Sequence, residues 1–333
     1  SMINILFKEA LILIEIKNLS KSYGPFKAVD NLSFTIDNNC VFGFLGPNGA
    51  GKSTTMNMIT GCLSPTEGEI YINGLSMTDN PEEAKKNIGY LPEIPPVYED
   101  LTPLEYLSFV GEAKKIPKAQ LKEKIAQVME KTSITAMKNR LIKNLSKGYR
   151  QRVGIAQAIL GDPPVIILDE PTVGLDPQQI IEIRNLITEL GKSHIVILSS
   201  HILSEISAVC SRIMIISHGK LVALDSAQKL VGNENTEKTA VLEALGSSDK
   251  ILNVLKTTPG VISAELSQET GNTCKFSFMP ENDPRERLFY SLAEADCPVI
   301  SLYIKKSSLE EIFLEIIAES GSYSKNTTAG GVK

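Results

Sequence analysis

The sequence predicts an α/β protein, a layered core around a parallel sheet, followed by a smaller α+β domain. Three observations carry that expectation. Val165–Leu168 and Ile195–Leu198 are unbroken apolar runs, which suit parallel strands covered on both faces, and helix-like segments at 178–190 and 202–210 alternate with them. The strand-like run Val41–Leu45 passes through a glycine-rich stretch into a helix-like segment from Thr54 to Cys62, before Pro65. Past residue 225 the order becomes strand (239–244), helix (248–257), strand (261–267), strand (273–279), helix (284–295) and strand (299–305). That β-α-β-β-α-β succession is a ferredoxin-like order.

The bulk properties agree with two domains. The chain has 333 residues and 42% hydrophobic content, enough to bury a large core. A net charge of −5, with acids and bases interspersed, gives no electrostatic footprint for nucleic acid, so no nucleic-acid partner is expected. The five cysteines form no C-x-x-C pair and read as buried thiols in a reducing compartment. No apolar stretch approaches the ~20 residues that span a bilayer. Ser1-Met2 reads as an expression remnant before the initiating methionine, and no secretory leader is evident. A cytoplasmic chain is expected, held at a membrane only through a partner.

The elements follow in order. Ile12–Ile16, Leu32–Ile36 and Ile88–Leu91 read as short strands, and Ile70–Ile72 before Asn73-Gly74 reads as a strand and tight turn. Thr102-Pro103-Leu104-Glu105 is a capping box with proline at the first helical position. Leu121, Ile125, Val128 and Met129 repeat as one apolar helix face, so a mainly helical insert is expected over 98–145. Val231–Lys238 is polar and linker-like. Ser308–Glu311 is a capping box opening a last helix to about Glu319, and residues 320–333 read as a disordered tail.

Gly46-Pro47-Asn48-Gly49-Ala50-Gly51-Lys52-Ser53-Thr54 is a complete phosphate-binding loop, G-x-x-x-x-G-K-S, in the strand–helix context the motif requires. Its glycines let backbone N–H groups turn onto a polyphosphate, and the helix N-terminus adds a positive dipole end. Lys52 supplies charge for the β- and γ-phosphates, and Ser53 a hydroxyl for Mg²⁺. Val165–Leu168 runs into Asp169-Glu170. Asp169 is suited to hold Mg²⁺ directly or through water, and Glu170 to polarise a water for attack on the γ-phosphate. Two acids ending a buried strand are a weak signal alone and a strong one beside a phosphate loop.

Leu145-Ser146-Lys147-Gly148-Tyr149-Arg150-Gln151-Arg152 brings a family into view. The chain resembles the nucleotide-binding subunit of ATP-binding cassette (ABC) transporters, and this octapeptide is similar to the family's signature, L-S-G-G-Q-x-Q-R. Gly174-Leu175-Asp176 resembles its D-loop, His201 its switch histidine, and Tyr23 the aromatic that stacks on adenine. The resemblance covers residues 12–225, about two thirds of the chain. It implies a P-loop NTPase fold of the ABC nucleotide-binding type over 12–225, with a RecA-like core, an antiparallel β-subdomain and a helical subdomain at about 98–160. A linker at 226–237 and a ferredoxin-like α+β domain at 238–319 would follow.

Read residue by residue, Glu170, His201 and Lys52 are the expected catalytic set. Tyr23, the loop from Gly46 to Thr54, Asp169, Ser146, Gly148 and Asp176 are expected to bind ATP, and Ser53, Asp169 and Glu93 to hold Mg²⁺. Taken alone, His201 also reads as a satisfied strand-end histidine, Tyr23 as a surface aromatic, and Ser146 with Gly148 as a helix cap. Two departures stand out. Glu93 occupies the position where the family has the glutamine of its Q-loop, and Lys147 and Tyr149 replace glycine and glutamine of the signature. Both resemble the ABC-2 type exporter subgroup, as does the segment Ser308–Phe313. The resemblance implies head-to-tail pairing of two copies around two ATP, an ABC-2 type integral-membrane permease as partner, a place on the cytoplasmic face of the membrane, and export. The competing expectation is a soluble ATPase of the family acting in translation or DNA repair. A single phosphate loop, and the lack of sustained heptads between loop and signature, weigh against it.

Overall fold

The computed structural model describes residues 14–226, 239–280 and 283–305, which fall into two units. Ile12, most of the expected linker, the helix opening at Ser308 and the tail 320–333 lie outside the described residues.

The first unit contains two sheets. β1 (Ile14–Tyr23) and β2 (Phe26–Ile36) form a hairpin around Gly24-Pro25, with Gly24 at φ 58° and Tyr23 paired to Phe26. β4 (Glu67–Ile72) pairs with β1 and turns through Asn73 and Gly74, at φ 52° and 76°, into β5 (Leu75–Ser76). Two successive positive φ values are what a two-residue hairpin turn of this hand demands. The antiparallel order is β2-β1-β4-β5.

The second sheet has the order β10-β9-β3-β8-β7-β6. Its strands are β3 (Cys40–Leu45), β6 (Ile88–Leu91), β7 (Val165–Asp169), β8 (Ile195–Ser200), β9 (Arg212–Ser217) and β10 (Lys220–Asp225). All pairings are parallel except that of the edge strand β10. β7 and β8 are buried throughout, the reason their sequences are apolar without alternation. β9 and β10 were not anticipated from the sequence: Ile213–Ile216 follows the apolar helix segment closely, with no glycine or proline between them to mark a new element.

Helices α1 (Lys52–Ile59), α2 (Pro81–Lys86), α5 (Lys147–Ile159), α6 (Pro177–Leu190) and α7 (Leu203–Val209) pack on this sheet, and α3 (Pro103–Ala113) and α4 (Lys118–Lys131) pack on each other and on α5. The capping box of α3 is present: Thr102 Oγ1 accepts from Glu105 N, and Glu105 Oε2 accepts from Thr102 N at 2.8 Å. α4 buries Ile125, Val128 and Met129, while Leu121 is only half-buried. Lys114 Nζ donates to the carbonyls of Gln157 and Leu160 at 2.7 and 2.8 Å, satisfying the C-terminal end of α5 and tying it to α3.

The core between the two sheets is seeded by aromatics. Phe34 of β2 lies 5.9 Å from Phe42 and 5.5 Å from Phe44, both of β3, in stacked and edge-on arrangements. The cysteines depart from expectation in part: Cys210, Cys274 and Cys297 are buried, but Cys40 is half-buried and Cys62 exposed at the end of α1.

The second unit contains β11 (Thr239–Leu245), α8 (Ser248–Thr257), β12 (Val261–Thr270), β13 (Thr273–Pro280), α9 (Arg285–Glu294) and β14 (Val299–Lys305). Its strands pair antiparallel in the order β12-β13-β11-β14, the ferredoxin-like arrangement. It has its own core, in which Leu242, Phe276 and Phe278 of the sheet meet Ile251 and Leu255 of α8 and Leu288 and Leu292 of α9.

Candidate active site

Strand register assembles the site. Leu45 of β3 stands opposite Ser200 of β8, and Asp169 of β7 opposite Ser199. The residues that follow these strands, Gly46, His201 and Glu170, therefore emerge side by side at one edge of the sheet. Open α/β sheets bind ligands at this carboxyl edge.

Gly49 and Gly51 of the loop have φ of 80° and 105°, and a Cβ on Gly51 would stand 2.6 Å from the carbonyl of Ala28. The loop thus takes a path that L side chains resist. Ala50 N donates to Pro47 O at 3.1 Å, closing the turn that leads into α1. The first-turn amides of α1 have no partners inside the helix, so they are available to an anion.

Lys52 is buried, and its ammonium donates to Gly46 O at 2.7 Å and Pro47 O at 3.2 Å. It stands 3.8 Å from Glu170 Oε1. Burial pushes the Lys52 pKa below the ordinary lysine value, while Glu170, Asp169 and Glu93 pull it back up. Glu170 is also buried, and burial raises its pKa above the ordinary carboxylate value against the pull of His201 and Lys52. His201 Nδ1 donates to both Glu170 oxygens, at 3.1 and 3.0 Å. Glu170 sits at φ 49°, a conformation unusual for a residue with a side chain and typical of functional turns. A carboxylate with a raised pKa, oriented by a histidine and facing a buried ammonium, is equipped to accept a proton.

These groups line a cleft of about 570 Å³. Asn48, Gly49, Gly51, Lys52, Ser53 and Thr54 of the loop line it together with Glu93, Glu170, His201 and Tyr23. Asp169 is not at the wall; it lies one residue behind, buried, with Ser199 Oγ donating to its Oδ1. The residues fit Mg·ATP. The left-handed loop and buried ammonium suit a polyphosphate, and the oxygen-only set of Ser53, Glu93 and Asp169 suits a hard cation. Among the described residues no cluster of three or more His, Cys, Asp or Glu makes a cage from protein alone.

Three expected residues stand apart from this cleft. Ser146 Oγ caps α5 by accepting from Tyr149 N at 3.4 Å, and Asp176 caps α6 by accepting from Gln179 N at 2.9 Å. Gly148 and Asp176 line a separate cleft of about 850 Å³ between α4, α5 and α6, which contains none of the loop residues. Lys147 Nζ lies against Gly174.

Sequence reasoning missed two contributors. Phe26, 62% exposed, joins Tyr23 in the cleft from the facing strand; the Tyr23-Gly24-Pro25-Phe26 spacing of a tight turn was the available signal. Ser199 Oγ receives Glu170 N at 3.1 Å and donates to Asp169, fixing the strand end. Two serines closing an apolar run were its only trace in the sequence.

Fold and site together define a nucleoside triphosphatase of the phosphate-loop class. Residues 29–173 match the ABC transporter family model. An uncharacterized ABC transporter ATP-binding protein of Bacillus subtilis, YhcH, is 39% identical over 92% of this chain and 97% of its own length. The bacitracin transport ATP-binding protein BcrA of Bacillus licheniformis is 34% identical over 92% and 97%. Among solved structures, the ATP-binding cassette MJ0796, described as a dimeric post-hydrolysis state bound to ADP and Pi, is 26% identical with a TM-score of 0.59. It covers 64% of this chain and 98% of its own. The chain belongs to the ABC transporter family, as an ATP-binding subunit with the ABC-type phosphate-loop fold. It is an ATPase that uses Mg²⁺ and serves an ATP-driven transporter. Subunits of this kind dimerise and work with membrane permeases. No helix among the described residues is long and apolar enough to cross a membrane.

Proposed function

We propose that the chain is the ATPase of an ABC-2 type exporter, held by its permease at the cytoplasmic face of the membrane and pairing head to tail with a second copy. The observation that carries the reading is the cluster of buried Lys52 and Glu170 with the more exposed His201, opening onto the loop cleft.

In this reading Lys52, the backbone of Gly46, Pro47, Asn48, Gly49, Ala50 and Gly51, and the hydroxyls of Ser53 and Thr54 hold the phosphates, and Tyr23 stacks on adenine. Ser53, Asp169 and Glu93 would hold Mg²⁺, whose charge would offset that of the phosphates. Glu170 accepts the proton of the attacking water, and His201 keeps that carboxylate aimed. Ser146 and Gly148 contact the ATP of the second copy; their distance from their own loop cleft supports this. Asp176 binds that ATP with them. Binding closes the dimer and hydrolysis reopens it, a switch set by the γ-phosphate.

The proposed boundaries are 12–225 for the nucleotide-binding domain, with a helical subdomain at 98–160. A linker at 226–237, a C-terminal domain at 238–319 and a tail at 320–333 follow. The exposed Ile94, Tyr98 and Phe109 beside Glu93 are the proposed contact with the permease. Export is supported by Glu93 and Lys147, which resemble the exporter subgroup, and by the likeness to BcrA, a bacitracin transport ATP-binding protein.

The test is to recover Glu170→Gln protein from membranes in Mg·ATP and identify what accompanies it. A polytopic membrane protein of the ABC-2 type is the expected result. Ribosomes or nucleic acid in its place would shift the reading to a soluble ATPase.

A further inference from the structure

Three side chains beyond those assigned above meet just behind the Glu170–His201 pair. Glu205, the third residue of α7, is 5% exposed, as is Thr172, and Ser200 is fully buried. Glu205 Oε2 accepts from Thr172 Oγ1 and, at 3.3 Å, from Ser200 Oγ. Ser200 Oγ in turn receives Ile202 N at 3.0 Å. Among the described residues Glu205 makes no ion pair, so a buried carboxylate is here satisfied by hydroxyls.

The sequence positions of these partners give the arrangement its meaning. Thr172 lies two residues after Glu170 and four before Asp176; Ser200 immediately precedes His201. One carboxylate therefore joins the two segments that carry the pair. The seat of α7 is itself set from the loop strand. Ile206, next to Glu205, fills the space above Gly43 of β3, where a Cβ would stand 2.7 Å from Ile206 Cγ2 and 2.8 Å from Cys210 Sγ. α7 is thus packed on the strand that ends in the phosphate loop, and it reaches the Glu170 and His201 segments through one side chain.

We infer that Glu205 is a positioning residue for ATP hydrolysis. It holds Thr172 and Ser200 together so that His201 Nδ1 stays within 3.0–3.1 Å of the Glu170 carboxylate. It does not line the loop cleft. The inference rests on the proposed role of Glu170 as base. What Glu205 supplies is an acceptor shared by two hydroxyls, a part that glutamine keeps and alanine loses.

The experiment measures kcat and KM for ATP in the full chain for Glu205→Ala, Glu205→Gln, Thr172→Val and the double variant Thr172→Val/Glu205→Ala, with Glu170→Gln as reference. Displacement by about 1 Å costs a reaction roughly a hundredfold, so Glu205→Ala is expected to lower kcat by about ten- to a hundredfold. KM should stay within about twofold, because binding is not what is lost. Glu205→Gln should restore most of the rate. Thr172→Val should lower kcat in the same direction, and the double variant should fall no further than Glu205→Ala, since both remove one link. A wild-type kcat in Glu205→Ala overturns the inference, as does an equal loss in the glutamine and alanine variants. Additive losses in the double variant overturn it too. If Glu170→Gln is inactive while Glu205→Ala is not, only the positioning role falls. If Glu170→Gln hydrolyses ATP at the wild-type rate, the reading of Glu170 as base falls with it.

Discussion

Lys52 and Glu170 divide binding from chemistry, and their variants should separate along that line. Lys52→Ala removes the one cation buried among the loop carbonyls. The expected outcome is loss of ATP binding, read by titration of a fluorescent ATP analogue. Glu170→Gln keeps size and hydrogen bonding but cannot take a proton, so it should bind ATP normally and lose at least about a hundredfold in kcat. The pH dependence follows from the direction of the Glu170 shift. Burial raises its pKa, and the His201 contact lowers it in part. The acid limb of kcat should therefore lie above the ordinary carboxylate value of about 4.3. His201→Ala, by removing a stabiliser of the charged form, should move that limb to higher pH. The stability linkage has the matching sign. A carboxylate with a raised folded pKa holds its proton longer in the folded state, so the chain loses stability as pH rises through that window. At this scale the sequence named Lys52, Glu170 and His201 but not Glu205, whose value comes from Thr172 and Ser200, far from it or unmarked in sequence.

Elements show how the site is held. Gly43 lies within β3, where a glycine reads as a weak point in a strand. In the structure it is the space that α7 fills. Gly43→Ala should push α7 outward and cost about 1–3 kcal/mol of stability, checked by urea unfolding, with a parallel fall in ATPase rate. The cap of α3 offers a contrasting case. Thr102→Ala removes a hydrogen bond at an exposed helix start, so about 1 kcal/mol should be lost with no change in ATPase rate. The capping box and the fully buried strands were legible because their signals are local. β9 and β10 were not, because Ile213–Ile216 follows the apolar helix segment 203–210 within a few residues and no turn signal parts the two.

For the whole molecule, the prediction concerns assembly. Gly148 and Asp176 line a different cleft from Lys52, so one chain offers an ATP only half of the expected contacts. Glu170→Gln protein should roughly double in mass on adding ATP with Mg²⁺, measured by light scattering, and return to its starting mass when the metal is chelated. A mass unchanged by Mg·ATP would count against head-to-tail pairing. The second unit has its own core of Phe276, Phe278 and Leu242, and its order of elements was readable because strand and helix periods alternate cleanly.

The sequence by itself determined the chemistry of the loop, the α/β class, and the ferredoxin-like order of the second unit. These depend on short contiguous patterns, in which each residue type has a local physical reason. Only the tertiary structure decided which residues share the cleft. Parallel register sets Leu45 beside Ser200 and Asp169 beside Ser199. That register brings together the phosphate loop, Glu170 and His201, and it places Thr172 and Ser200 around Glu205. Pairing across a sheet depends on packing at long sequence separation, which no local pattern encodes.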